Sequence, residues 1–174
     1  DDRKIAFDVN TVGTYNAIHA AVDLGHTRFV NTGPHFTITG NSYTAYDFDI
    51  REEVPSHSGL NLYAHSKSVG QEICRVFTEN HPIHVLTTLF ISFRPAEPKR
   101  EGQGINSFAV TFPDAGRAVR KAVEVDLEKL PSKNEIFFIT ADLPHGQYSN
   151  TKARRILGFE PQDSMEKYWR KPKK

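Results

Sequence analysis

The chain has 174 residues, of which 38% are hydrophobic and 25% charged, with a formal net charge of +1. That length supports one cored domain with at most a small appendage, and the charge balance gives no general attraction to nucleic acid or to a membrane surface. The one cysteine, Cys74, rules out a disulfide within the chain and a cysteine-based metal site and fits a reducing, cytoplasmic setting, while no apolar run approaches the ~20 residues of a membrane span.

Residues 5–24 carry a helical pattern, with Ile5, Val9, Val12, Ala17, Ile18, Ala21 and Val22 recurring at helical spacing and Gly25 as the stop. The chain opens at Asp1 directly before this pattern, which suggests a piece of a longer polypeptide. Arg28–Thr32 is a short β-like run closed by Gly33-Pro34. Residues 40–60 are polar and read as a long loop, of the kind that is often functional. Its acidic run, Asp47, Asp49, Glu52 and Glu53, is expected to be solvated.

A second helix is expected over 61–80, with Tyr63, Val69, Gly70, Ile73, Val76 and Phe77 on its apolar side and His81-Pro82 at its end. Residues 83–91 form an apolar, partly β-branched run, as in a strand buried on both faces. His81 and His84 are taken as ordinary turn and strand histidines, and no metal site is expected. Residues 94–104 read as a linker. Asp114 is expected to cap a third helix running to about Glu128. Residues 135–140 form a strand, a short helix starts at Ser149 or Asn150 and stops at Leu157-Gly158, and Asp163–Glu166 resembles a capping box before a last short helix. The basic residues Lys167, Arg170, Lys171, Lys173 and Lys174 read as a solvated tail. Helices and strands alternate, which argues an α/β layered fold with a parallel sheet.

Tyr63-Ala64-His65-Ser66-Lys67 is the segment with the clearest chemistry. On a helix, residues four apart share a face, roughly 5–6 Å between Cβ atoms. A lysine ammonium that close to a phenol favours the phenolate, and a tuned phenol can exchange a proton with a substrate hydroxyl or carbonyl. By spacing alone the pair is weak, because chance supplies about 0.4 such pairs in a chain of this composition.

The surrounding residues add to it. Asn10–Ala21, the strand Arg28–Val30 with its small-residue turn and Gly40, Tyr63–Lys67, Phe112–Ala118 and Leu157-Gly158-Phe159-Glu160-Pro161 occur in order along the chain. This series resembles the extended short-chain dehydrogenase/reductase family, in its NAD-dependent epimerase/dehydratase branch. The resemblance implies a partial Rossmann-like fold, a doubly wound parallel sheet. Residues 1–95 would be the C-terminal half of a nucleotide-binding domain, and 96–174 a small substrate-binding α/β region. It implies NAD or NADP as cofactor and a small-molecule substrate, with nucleotide sugars the commonest class. Tyr63 would be the acid/base, Lys67 would tune it and hold the nicotinamide ribose, and Asn10 would support a proton relay. It also implies a homodimer through residues 5–24 and 61–80, or association with another chain.

Three positions depart from the family pattern. No Gly-x-x-Gly-x-x-Gly stands in the chain, and Gly102-x-Gly104 lies in the linker, so the pyrophosphate-binding turn is missing and the chain alone is not expected to catalyse. The position of the family's active-site Ser/Thr falls on His35, a candidate for substrate contact. Thr32 is the nearest hydroxyl upstream and Thr37 the nearest downstream, and Thr32 serves if the loop carries an insertion. Where the family often has Leu-Arg the chain has Leu89-Phe90, with Arg94-Pro95 following. Arg94 is then a substrate candidate and Pro95 a neighbour of the nicotinamide. Glu52-Glu53 stands where the family often has an acidic residue before its catalytic helix. The competing expectation is a relative that kept the fold, lost the chemistry, and serves as a scaffold or interaction subunit.

Overall fold

The structure, a computed structural model, describes residues 2–39, 50–54, 56–97, 105–144 and 146–169. Gly40, Asp47, Asp49, Gly102, Gly104 and the last five residues of the basic tail lie outside them. The first helical run has three parts: α1 (Arg3–Phe7), a π-helical turn over Asp8–Val12, and α2 (Gly13–Asp23). The Asp2 carboxylate accepts from the Ile5 N–H at its start, and Gly25, at φ +75°, follows its end. Next come β1 (Arg28–Pro34), the short α3 (Phe36–Thr39) and α4 (Leu62–Asn80). Asn61 caps α4 by accepting from the Ala64 N–H at 3.0 Å.

The second half holds β2 (His84–Phe90), β3 (Ser92–Arg94), β4 (Ala109–Thr111), α5 (Phe112–Glu124), a 3₁₀ turn over Leu127–Lys129, β5 (Asn134–Phe138), α6 (Thr151–Leu157) and α7 (Glu166–Trp169). β1, β2 and β5 form one parallel sheet with β2 in the middle, and β3 pairs with β4 in a second, two-stranded parallel sheet. Alternate side chains of a strand point to opposite faces, and the core divides accordingly. Phe29 and Val85 pack with Ile18 of α2 and Cys74 and Phe77 of α4. Val30, Leu86 and Phe137 pack with Ala115, Ala118 and Ala122 of α5 and Ala153 and Leu157 of α6. Helices therefore cover both faces of a parallel sheet, the doubly wound arrangement expected.

Several local expectations are corrected. β1 runs on through Gly33 and Pro34 instead of stopping before them; it is an edge strand among the described residues, where a missing N–H is tolerated. The short β3 and β4 were not expected: Arg94, read as the start of a linker, belongs to β3, and no element was read over Ala109–Thr111. Thr111, not Asp114, caps α5, accepting from the Asp114 N–H at 3.2 Å. Asp114 is fully buried and accepts instead from Arg117 and from the N–H groups of Gln162 and Asp163, which ties the C-terminal segment to α5. Asp163 accepts from Thr111 and Arg117, and α7 starts at Glu166 instead of directly after Asp163. Glu52 is buried, against the solvated loop expected for its acidic run. Ile5, Val9 and Val12, which recur at helical spacing, are exposed, as are Tyr63 and Val76, expected on the apolar side of α4. β5, which lies beyond residue 95, pairs with β2 in the same sheet as β1.

Candidate active site

In a strand–helix–strand unit the helix runs back along the sheet, so the start of α4 lies at the C-terminal ends of β1 and β2. Open parallel sheets bind ligands at that end. An open cleft of about 600 Å³ sits there, lined by Thr32, Gly33 and Pro34 of β1, Tyr63 and Lys67 of α4, Phe90 at the end of β2 and Ile91 after it, Phe93 of β3, and Ala115, Gly116 and Val119 of α5. Three of the residues singled out from the sequence, Thr32, Tyr63 and Lys67, thus meet in one cleft. Tyr63 is about half exposed, at 49%. Lys67 is partly buried, and its Nζ donates to the Thr32 carbonyl at 3.2 Å, which locks the lysine to the end of the strand. Burial pulls the Lys67 ammonium below its ordinary value, partly opposed by Cys74. Burial drives the Cys74 thiol up to about 12, so it is inert packing.

Asn10 supports the same segment from behind. It lies in the π-helical turn, a distortion frequently found at functional sites. Its Nδ2 donates to the Ser66 hydroxyl at 3.0 Å, and that hydroxyl donates to the Tyr63 carbonyl at 3.1 Å. Asn10 and Tyr63 also line a neighbouring concavity of about 420 Å³ between α1 and the start of α4. The two runs approach closely because residue 70 is glycine: a Cβ there would stand 2.5 Å from the Asn10 carbonyl.

The other sequence candidates fall elsewhere. Arg94 and Pro95 are not among the cleft-lining residues; the Pro95 carbonyl accepts from the Tyr168 hydroxyl at 2.6 Å, and the buried Arg94 Nε has no hydrogen-bond partner among the described residues. His35 is buried at 1% exposure, stacked on Phe108 with the ring centroids 4.7 Å apart and edge-on to Tyr148. Its Nδ1 has no hydrogen-bond partner among the described residues, and burial lowers its pKa to about 4, so it is a neutral wall residue. The Thr37 hydroxyl is engaged twice, donating to the Pro34 carbonyl and accepting from Gln71, which leaves Thr32 as the threonine facing the cleft. Sequence reading missed the apolar wall of Phe90, Ile91, Phe93 and Val119. The signal was the aromatic-aliphatic run directly after the central strand, which periodicity assigns to core. Among the described residues no group of three or more His, Cys, Asp or Glu side chains is placed to hold a metal ion, and no helix is long and apolar enough to cross a membrane.

A parallel sheet covered by helices on both faces is a Rossmann-like fold, and here a Tyr–Lys pair stands at its C-terminal end. No family model matches the chain. A curated relative, the NAD-dependent glucose-6-phosphate dehydrogenase of Haloferax volcanii, is 25% identical over 169 residues, covering 91% of this chain and 62% of the relative. The solved glucuronic acid dehydrogenase of Chromohalobacter salexigens superposes with a TM-score of 0.70 at 25% identity, over 90% of this chain and 55% of that one. A short-chain dehydrogenase/reductase superfamily protein of Agrobacterium tumefaciens, solved with bound NAD, superposes with a TM-score of 0.75 at 18% identity, over 97% of this chain and 72% of that one. The chain thus spans roughly half to three quarters of the length of these relatives. Other solved structural neighbours include a uronate dehydrogenase, a UDP-glucuronic acid 4-epimerase in complex with NAD and a UDP-galactose 4-epimerase, and the chain has their fold.

Proposed function

We propose that this chain carries the proton-transfer half of a nicotinamide-dependent oxidoreductase or epimerase acting on a sugar, a uronic acid or a nucleotide sugar. The observation that carries this reading is the convergence of Thr32, Tyr63 and Lys67 on one cleft at the C-terminal end of the parallel sheet. Tyr63 exchanges a proton with the substrate oxygen, and the Thr32 hydroxyl polarises the same oxygen. Lys67, fixed by the Thr32 carbonyl, holds positive charge one helical turn from the phenol and is in place to hold a ribose hydroxyl. Asn10 positions this turn through Ser66.

The residues fit a nicotinamide ring: Phe90, Ile91, Phe93 and Val119 offer apolar side chains in the same cleft as the Lys67 cation. The bound cofactor would accept or supply the hydride. The relatives named for NAD favour NAD over NADP. Titration of the polypeptide that carries this chain with NAD and NADP, by calorimetry, tests the reading. Binding that Lys67→Met weakens at least about tenfold supports it. A folded protein that binds neither cofactor overturns it.

A second reading is a non-catalytic scaffold. It is favoured by the burial of His35 at the position expected for the active-site hydroxyl. Either reading is compatible with self-association through α1–α2 and α4, where Ile5, Val9, Val12, Tyr15 and Val76 are exposed apolar side chains.

A further inference from the structure

Glu52 stands outside the cleft, and the proton-transfer scheme does not use it, yet it is 6% exposed and reaches across the end of the sheet. Directly after β5 the Ile139 N–H bonds inward to Leu89 of β2, so by alternation the N–H of Phe138, the last residue of β5, points to the other edge, which has no strand partner among the described residues. The Glu52 carboxyl accepts that N–H at 3.2 Å. Without it a buried donor would be orphaned. The same segment is held by Ile50, whose N–H donates to the Gln147 carbonyl at 2.8 Å and whose carbonyl accepts from Ser149 at 3.3 Å. Further on, the His57 N–H donates to Ile38, and the Ser56 hydroxyl donates to Thr37 and contacts Ser68 of α4. The path ends at Asn61, the cap of the helix that carries Tyr63 and Lys67.

The charges around Glu52 are unbalanced. Lys152 of α6 is the cation that acts on it, but Lys152 is already paired with buried Glu135 of β5 at 3.0 Å and sits over the Phe137 ring. Glu53 adds a second negative neighbour, and exposed Arg51 precedes it. Among the described residues an ionised Glu52 would therefore be a second carboxylate sharing the Lys152 cation with Glu135 in a buried place, an expensive arrangement. We propose that the Glu52 carboxyl is a proton-operated clamp: neutral, it seats residues 50–54 on the edge of β5; ionised, it loosens them and, with them, the lead into α4.

Burial is the largest influence on this carboxyl and raises it to about 7; its backbone hydrogen bonds and Lys152 oppose the rise, and Glu53 adds to it. The seated carboxyl thus keeps its proton to higher pH than a free one. Seating is strongest below the ordinary 4.5, weakens by about tenfold per pH unit as the pH rises toward 7, and then levels off.

The test is amide hydrogen exchange of the whole chain, followed by NMR and corrected for intrinsic rates, at the Ile50, His57 and Phe138 amides. Protection in the unmodified chain should fall at least about tenfold between about pH 5 and pH 7, whereas in Glu52→Gln, which keeps an acceptor and cannot ionise, it should change less than about twofold. Protection independent of pH in the unmodified chain, or an equal fall in the glutamine variant, overturns the proposal. A carboxyl-carbon NMR titration of the unmodified chain gives a readout that needs no variant: a Glu52 midpoint near 7 supports the clamp, and one in the ordinary carboxylate range sinks it.

Discussion

Gly70 and Asn10 set how closely the two helical runs behind the cleft can approach. A methyl group at residue 70 would meet the Asn10 main chain at 2.5 Å, and backbone cannot swing away as a long side chain can. Gly70→Ala should lower stability by about 1–3 kcal/mol, read by urea denaturation, and displace the Asn10–Ser66 hydrogen bond. At the cleft itself, Tyr63→Phe keeps the ring and removes the exchangeable proton. In the polypeptide that carries this chain it should reduce turnover by roughly 10²–10⁴-fold with cofactor binding retained. Equal turnover in the two proteins would remove Tyr63 from the mechanism. His35 acts on stability instead. Its folded pKa, about 4, lies below the ordinary 6.5, so the native state holds the neutral ring while the unfolded chain takes up a proton. Its contribution is complete above 6.5 and is lost as the pH falls toward 4. Glu52 has the opposite sign over an overlapping window, losing stability as the pH rises from 4.5 to 7. Glu52→Gln should therefore leave a chain whose stability, followed by denaturant melts, climbs with pH between 4.5 and 6.5.

Among the elements, α5 depends on both its neighbours. Its start is capped by Thr111 and tied to the C-terminal segment by Asp114. At its other end Arg28, from the beginning of β1, donates to the carbonyls of Ala122, Val123 and Val125. A cation over the unpaired carbonyls of a helix C-terminus is favourable both as hydrogen-bond donor and by the helix dipole. Arg28→Met should cost about 1–2 kcal/mol in a denaturant melt, without altering ligand binding at the cleft. A loss of ligand affinity with unchanged stability would contradict this structural role. Nothing local signals the contact, because Arg28 and Val123 are far apart in the chain. Element reading succeeded where periodicity was strong, as at α4 and β2. It failed at β3 and β4, three residues each, which exist because they pair with each other.

Across the whole molecule, the apolar side chains that the first helix presents are divided between two destinations. Ile18 enters the sheet's core, whereas Ile5, Val9 and Val12 stay at the surface at 50% exposure or more. A stripe of that kind calls for a covering partner. Sedimentation of the chain should show a dimer or larger species that Val9→Lys with Val12→Lys shifts to monomer; a stable monomer before substitution would count against association through this face.

The alternation of elements, the central buried strand and the Tyr–Lys spacing were determined by the sequence, because each depends on residues close together in the chain. Helical spacing places Tyr63 and Lys67 on one face wherever α4 lies. Tertiary structure alone decided which hydroxyl joins them. Thr32 and Thr37 are equivalent as letters, but the Gln71 amide engages Thr37 while strand β1 leaves Thr32 in the cleft. It likewise decided that His35 is a wall and Glu52 a buried carboxyl, since burial depends on contacts such as Phe108 and Phe138 that lie far away in sequence.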